Sequence, residues 1–184
     1  MIVNNVNKCL YDSNIGFETN FIEDGNVDGW TFYDGIFAYG CWNNFLFGTL
    51  YDTYCRIGRD TTFYPLSAED YYSVRIVMQL SIVDRPPGME LPKYGKLMWR
   101  TLSDPVWDDK KSYLFEINTE NVWAVYNLNM GGAQWWQGDI NDLRFYPIYD
   151  GGRPDDEFFL RSITIYSKNT YKCRNYGCSY YQHY

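Results

Sequence analysis

From Tyr71 to Asp84 apolar and polar side chains alternate. Tyr72, Val74, Ile76, Met78, Leu80 and Ile82 fall on one face, and Tyr71, Ser73, Arg75, Val77, Gln79 and Ser81 on the other. A period of two marks a half-buried β-strand, because successive side chains of an extended backbone point to opposite sides. The run stops at Arg85-Pro86-Pro87-Gly88, where proline has no N–H to give a ladder. The same reasoning predicts strands over Lys96 to Thr101, Ser112 to Ile117, Val122 to Met130, Ile140 to Pro147 and Glu157 to Tyr166. Between them lie Ser103-Asp104-Pro105, Asn118 to Asn121, Gly131-Gly132 and Asp150 to Pro154. Strands at this spacing, with turn residues between them, predict an all-β antiparallel sandwich or barrel with little helix. The first sixty residues are less regular, with Gly25, Gly29, Gly35, Gly40 and Gly48 punctuating aromatic runs such as Trp30 to Tyr33 and Phe45 to Phe47.

The alternation also assigns faces. Val122, Ala124, Tyr126, Leu128 and Met130 form one apolar face, and Leu143 and Phe145 point together. The predicted core includes Tyr126, Leu128, Leu143, Phe145 and Ile163. Trp135 and Trp136 are adjacent and must face opposite sides, and Gly138 is expected to let the backbone pass close under an indole. One domain is placed at residues 17–167, with tails at 1–16 and 168–184.

Composition narrows the chemistry. With 16 Lys+Arg against 23 Asp+Glu in 184 residues the net charge is −7, and the longest basic run is Lys110-Lys111, so the phosphate-neutralising face of a nucleic-acid binder is not expected. The one histidine, His183, lies in the tail, which leaves histidine relays and multi-histidine zinc sites without residues. Cys9, Cys41, Cys55, Cys173 and Cys178 are odd in number and form no CxxC, and the thiols are read as reduced when made; a bridge between Cys173 and Cys178 is left open. No apolar run approaches the roughly 18 residues of a membrane helix. The start of the chain lacks a basic, apolar leader, so a protein working outside a cell would leave by lysis or a dedicated route; the expected setting is extracellular or a virion surface, without a recognisable signal peptide.

The stretches LMWRTLSDPVWDDKKSYLFEI, NVWAVYNLNM, WWQGDINDLRFYPIYDGG and EFFLRSITIYS, with an opening Phe21-Ile22-Glu23-Asp24-Gly25 and Asp28-Gly29-Trp30, resemble the noncatalytic jelly-roll carbohydrate-binding modules attached to glycoside hydrolases and polysaccharide lyases. The resemblance implies a jelly roll and glycan binding. It also implies that Trp136 is a core residue and Trp135 the one facing solvent. Where that family's closing strand commonly has an Asp that helps hold a structural calcium, this chain has Arg161.

The aromatic fraction of 20% is the residue-level counterpart of that reading. Sugar C–H faces stack on indole and phenol rings while flanking amides and charged groups bond the hydroxyls. Candidate ligand-binding residues are Trp135, Trp42, Trp99 and Trp107, with Gln137 and Asn43 as polar neighbours. Catalytic residues are not expected: Asp108-Asp109, Glu69-Asp70 and Asp155-Asp156-Glu157 all stand beside turn residues, where solvated charge explains them. No metal or cofactor is expected; the Asp150 to Asp156 loop offers oxygen ligands for calcium but lacks the EF-hand spacing. The expected function is noncatalytic glycan binding in adhesion, as one of many copies on the surface of an assembly such as a phage virion. The alternative is a decoration or cement protein bound to capsid or tail proteins, without glycan.

Overall fold

The computed structural model describes residues 15–167 apart from 22, 60–61, 88–90 and 119–120. Residues 1–14 and 168–184, and with them Cys9, Cys173, Cys178 and His183, lie outside the described residues. Twelve strands follow one another: β1 (Ile15–Asn20), β2 (Trp30–Asp34), β3 (Ile36–Trp42), β4 (Phe45–Leu50), β5 (Cys55–Arg59), β6 (Leu66–Ser67), β7 (Tyr71–Ser81), β8 (Tyr94–Thr101), β9 (Ser112–Glu116), β10 (Ala124–Asn129), β11 (Asp139–Ile148) and β12 (Glu157–Ser167). The helix among the described residues is one short 3-10 turn, Met130–Gly132.

Every pairing is antiparallel, and the strands form two sheets. One runs β10-β7-β12-β4-β3 and the other β2-β5-β11-β8-β9. In each sheet a long strand splints two shorter ones laid end to end along one flank. β12 holds β4 beside Glu157 to Leu160 and β1 beside Ser162 to Tyr166; β11 holds β6 beside Asp139 and Ile140 and β5 beside Arg144 to Ile148. The β-sandwich read from the alternation is the fold observed.

The core lies between the sheets. From one come Val74, Ile76, Met78 and Leu80 of β7, Tyr126 and Leu128 of β10, and Phe158, Leu160, Ile163 and Ile165 of β12; from the other Ile57, Leu97, Trp99, Phe115, Leu143 and Phe145, all buried. Aromatic rings meet across it, with Phe115 stacked on Phe145 and tilted against Tyr126. A buried relay ties the sheets at one end: the Trp30 indole N–H donates to the Thr19 hydroxyl at 3.1 Å, and that hydroxyl donates to Asp28. Cys41 and Cys55 are unpaired and buried, and burial pushes both thiols above their ordinary pKa. Neither is poised as a nucleophile.

Three expectations need correction. The strand expected to begin at Val122 begins at Ala124, because Asn121 turns the chain with a positive φ and leaves Val122 exposed. Gly138 is needed for its left-handed backbone, φ +72°, rather than for a passing indole; an added Cβ would meet only the Ser103 hydroxyl, at 3.9 Å. Asp156, expected to be solvated, is fully buried. Its carboxylate accepts from Val83 N–H at 3.0 Å, Arg153 N–H at 2.9 Å and the Arg85 guanidinium at 2.5 Å. The Asp150 to Asp156 loop is thereby locked to the segment that follows β7, and a cation at Asp156 would have to displace Arg85.

Candidate functional site

Strand alternation builds one chemically distinctive surface. In β11 Leu143 and Phe145 turn inward, so Asp142, Arg144 and Tyr146 turn outward; in β8 Leu97 and Trp99 turn inward, so Lys96, Met98 and Arg100 turn outward. In β5 Ile57 is inward and Arg56 and Gly58 outward, and in β2 Tyr33 shares that outer side. Pairing sets Thr31, Gly58, Arg144, Met98 and Ser112 in one row across five strands, which puts Arg144 at the middle of the face.

Tyr146, edge-on to Tyr149 beside Lys96, lies toward one end of this face, and two further rings, Tyr33 and Trp107, flank Arg144. Tyr33 packs over Gly58, where an added Cβ would come within 2.9 Å of the phenol ring and 3.2 Å of the Arg144 stem. Gly58 has no positive φ, so its constraint is one of space alone. Gly58→Ala is therefore expected to leave the thermal midpoint within a few degrees of the parent while displacing Tyr33 and Arg144. A fall in ligand affinity at unchanged fold, read by circular dichroism and binding on one sample, is the result that places Gly58 under the site.

Trp107 arrives from the β8–β9 connection, which is fastened onto the sheet. Arg100 donates to Pro105 O at 3.3 Å, Lys111 Nζ reaches Asp104 O at 3.0 Å and the Asp104 carboxylate at 2.9 Å, and Lys96 Nζ meets Asp109 at 2.7 Å. The Lys111 bond holds the Asp104 carboxyl below the usual carboxylate range. So fastened, the Trp107 ring lies 4.1 Å from the Arg144 guanidinium and 4.7 Å from that of Arg100, while Tyr33 lies 5.1 Å from Arg56 and 5.7 Å from Arg144. Two carboxylates complete the face: Asp34 pairs with Arg56 at 2.5 Å and Asp142 with Arg100. Burial raises the Asp142 carboxyl pKa, against the Arg100 hydrogen bond and charge that lower it.

The six residues picked from sequence do not gather in one place. Trp107 is on this face. Trp135 is 40% exposed at its rim, with Lys110 of the fastened loop 5.9 Å from its ring, and Trp136 is buried as expected. Trp99 is a correction: it is fully buried, edge-on to Trp136, with its indole N–H donating to Trp135 O at 3.0 Å. It holds the backbone of the rim and offers no ring to a ligand. Gln137 is exposed and lines, with Glu69, Tyr72 and Trp136, a separate depression of about 360 Å³. Trp42 and Asn43 belong to the other sheet. Trp42 is 58% exposed at the tip of the β3–β4 hairpin, whose turn residues Asn43 and Asn44 have φ of +52° and +64°, the left-handed pair that a two-residue hairpin requires.

Sequence reasoning passed over Tyr33, Arg56, Asp142 and Arg144. The signal was available in β11, because the assignment of Leu143 and Phe145 to the core sends their neighbours outward.

No family model matches the chain, and no curated protein matches it. Among solved structures it is similar to CBM86, a low-affinity xylan-binding module from Roseburia intestinalis, at 14% identity and TM-score 0.49, over 83% of this chain and 97% of that one. It is also similar to a family 29 carbohydrate-binding module (12% identity, TM-score 0.47, 82% and 88% of the two chains). A third is TmCBM27, a carbohydrate-binding module that recognises mannan (14%, 0.46, 84% and 97%).

Proposed function

We propose that the chain is a noncatalytic glycan-binding module whose site is the outward face of β2-β5-β11-β8-β9. One observation carries this reading: Tyr33 and Trp107 lie on a single open sheet face with guanidinium groups and a carboxylate between and beside them. Rings supply flat apolar contact for sugar C–H faces, and the polar groups supply directional bonds to hydroxyls. Both carboxylates of the face are paired to arginines, which leaves no free acid–base couple for hydrolysis. The face is open and its contacts few, so a single copy binds weakly. Adhesion then rests on many copies displayed together, as on a virion or another extracellular assembly, where effective concentration multiplies the affinity.

The test is retention of the purified protein on immobilised polysaccharides. Trp107→Ala is expected to weaken retention tenfold or more, about 1.4 kcal/mol or beyond, with the melt unchanged. Trp42→Ala, on the other sheet, should leave retention intact. Equal retention by parent and Trp107→Ala rejects this placement of the site, and release of reducing ends by the parent rejects the noncatalytic reading.

A second reading, attachment to other proteins of an assembly, is favoured by the outward face of the other sheet. There Phe45 stands edge-on to Phe159 at 5.3 Å and 5.8 Å from Trp123, and Phe47 and Trp42 extend the apolar surface. Aromatic anchors of this kind dominate protein interfaces. Under that reading Trp42→Ala and Trp123→Ala impair incorporation into the particle while glycan retention is absent in every form.

A further inference from the structure

The charges on the candidate face do not balance. Arg56, Arg100 and Arg144 meet two carboxylates, Asp34 on Arg56 and Asp142 on Arg100, and Arg144 is left over. Among the described residues Arg144 makes no ion pair and donates no hydrogen bond; its contacts are the rings of Trp107 and Tyr33. The Nε of Arg56, buried beside it, also has no acceptor. A chain of net charge −7 has thus gathered three guanidinium groups at the middle of this face.

Stacking on aromatic rings occupies the flat faces of a guanidinium and leaves its in-plane N–H groups unspent. Those donors form a fork that matches a planar carboxylate, two N–H groups to two oxygens. A neutral sugar would leave the central positive charge uncompensated. A sugar carrying a carboxylate at its ring would compensate it while the ring stacks beside it.

We infer that the glycan taken by this face is acidic, a polymer of uronate residues whose carboxylate pairs with Arg144 between Tyr33 and Trp107. This inference rests on the glycan-binding reading of the same face. Burial, and then the like charge of Arg56, lowers the pKa of Arg144, whose charge is felt by the Asp142 carboxylate although that carboxylate is bonded to Arg100. Bulk attraction does not account for such binding, because the protein as a whole repels polyanions.

The experiment is affinity electrophoresis of the whole chain in gels containing polygalacturonate, alginate or hyaluronan, each beside its carboxyl-reduced counterpart, with xylan, mannan and cellulose as neutral polymers. The expected result is retention by at least one acidic polymer at tenfold or greater affinity over its reduced form. Added salt weakens that retention. Arg144→Gln should lose at least tenfold, Arg144→Lys should recover only part because the fork is gone, and Arg75→Gln, on the outer face of the opposite sheet, should behave as the parent. Equal affinity for acidic and reduced polymers, retention by neutral polymers alone, or an equal loss in Arg75→Gln overturns the acidic preference and leaves glycan binding standing. Retention by none of the polymers overturns both. The comparison of acidic and reduced polymers uses the parent protein, so it decides even where a variant fails to fold.

Discussion

Asp156→Asn is expected to cost about 3–5 kcal/mol of folding free energy, the range for breaking a buried ion pair from one side. The carboxylate is fully buried and the side chain of Arg85 only 6% exposed, so a guanidinium that loses its partner cannot turn to water. The Nε of Arg85 already lacks an acceptor, which makes Asp156 its principal compensation. Asparagine keeps the size but removes the charge, and it offers one acceptor oxygen where the backbone N–H groups of Val83 and Arg153 use two. The contrast is Asp142, whose partner Arg100 is 28% exposed and can recover hydration if the pair is broken. Urea unfolding of Asp156→Asn is the measurement. A loss below about 1 kcal/mol would mean that Arg85 reaches solvent after all. Adding Arg85→Met should return part of the stability, since no buried charge is then left alone.

Trp99→Ala is expected to cost about 3–5 kcal/mol, as for other large aromatic deletions in a packed core. The indole is fully enclosed, and its removal opens a cavity beside Trp136 and leaves the carbonyl of Trp135 without its donor. Trp107→Ala should cost far less, since that ring is only partly buried, above the sheet. The pair of variants separates a core tryptophan from a platform tryptophan: the first lowers the unfolding midpoint, the second lowers retention on glycan. If Trp99→Ala unfolded at the parental urea concentration, its enclosure would be wrong and the ring would return to the list of platforms.

The alternation that placed β7, β11 and β12 also held the correct side for Trp99, because Leu97 and Trp99 share a face while Lys96, Met98 and Arg100 share the other. Its polar neighbour Arg100 drew attention to the surface, yet a neighbour in a strand points the opposite way. Period-two logic thus made the core and half of the site legible. The rest depends on contacts between distant parts of the chain. Trp107 sits in a turn-rich stretch that reads as loop, and it belongs to the site because Arg100, Lys111 and Lys96 hold that loop down on the sheet. Asp156 stands among turn residues that predict solvation, and what buries it is an arginine 71 positions away. Local signals of turn chemistry carry no information about a partner at that separation.

The end-to-end arrangement of strands along β12 has a consequence for the order in which the molecule can form. β12 is the last strand among the described residues, yet it lies between β7 on one flank and β4 and β1 on the other. Until Glu157 to Ser167 are in place, β10 and β7 have no bond to β4 and β3, and β1 has no partner in its sheet. Among the described residues, the sheet that carries Arg144 uses no strand beyond Ile148. During synthesis from the N-terminus the described strands of the candidate face are therefore all present before the opposite sheet can be joined. Closing β1 against β12 brings Glu18 beside Thr164, a separation of 146 residues, and pairings this distant place the chain among slow folders, on the scale of milliseconds to seconds. β12 thus acts as a late latch: until it is in place the strands of its own sheet cannot close as one unit over the apolar inner surface of the other.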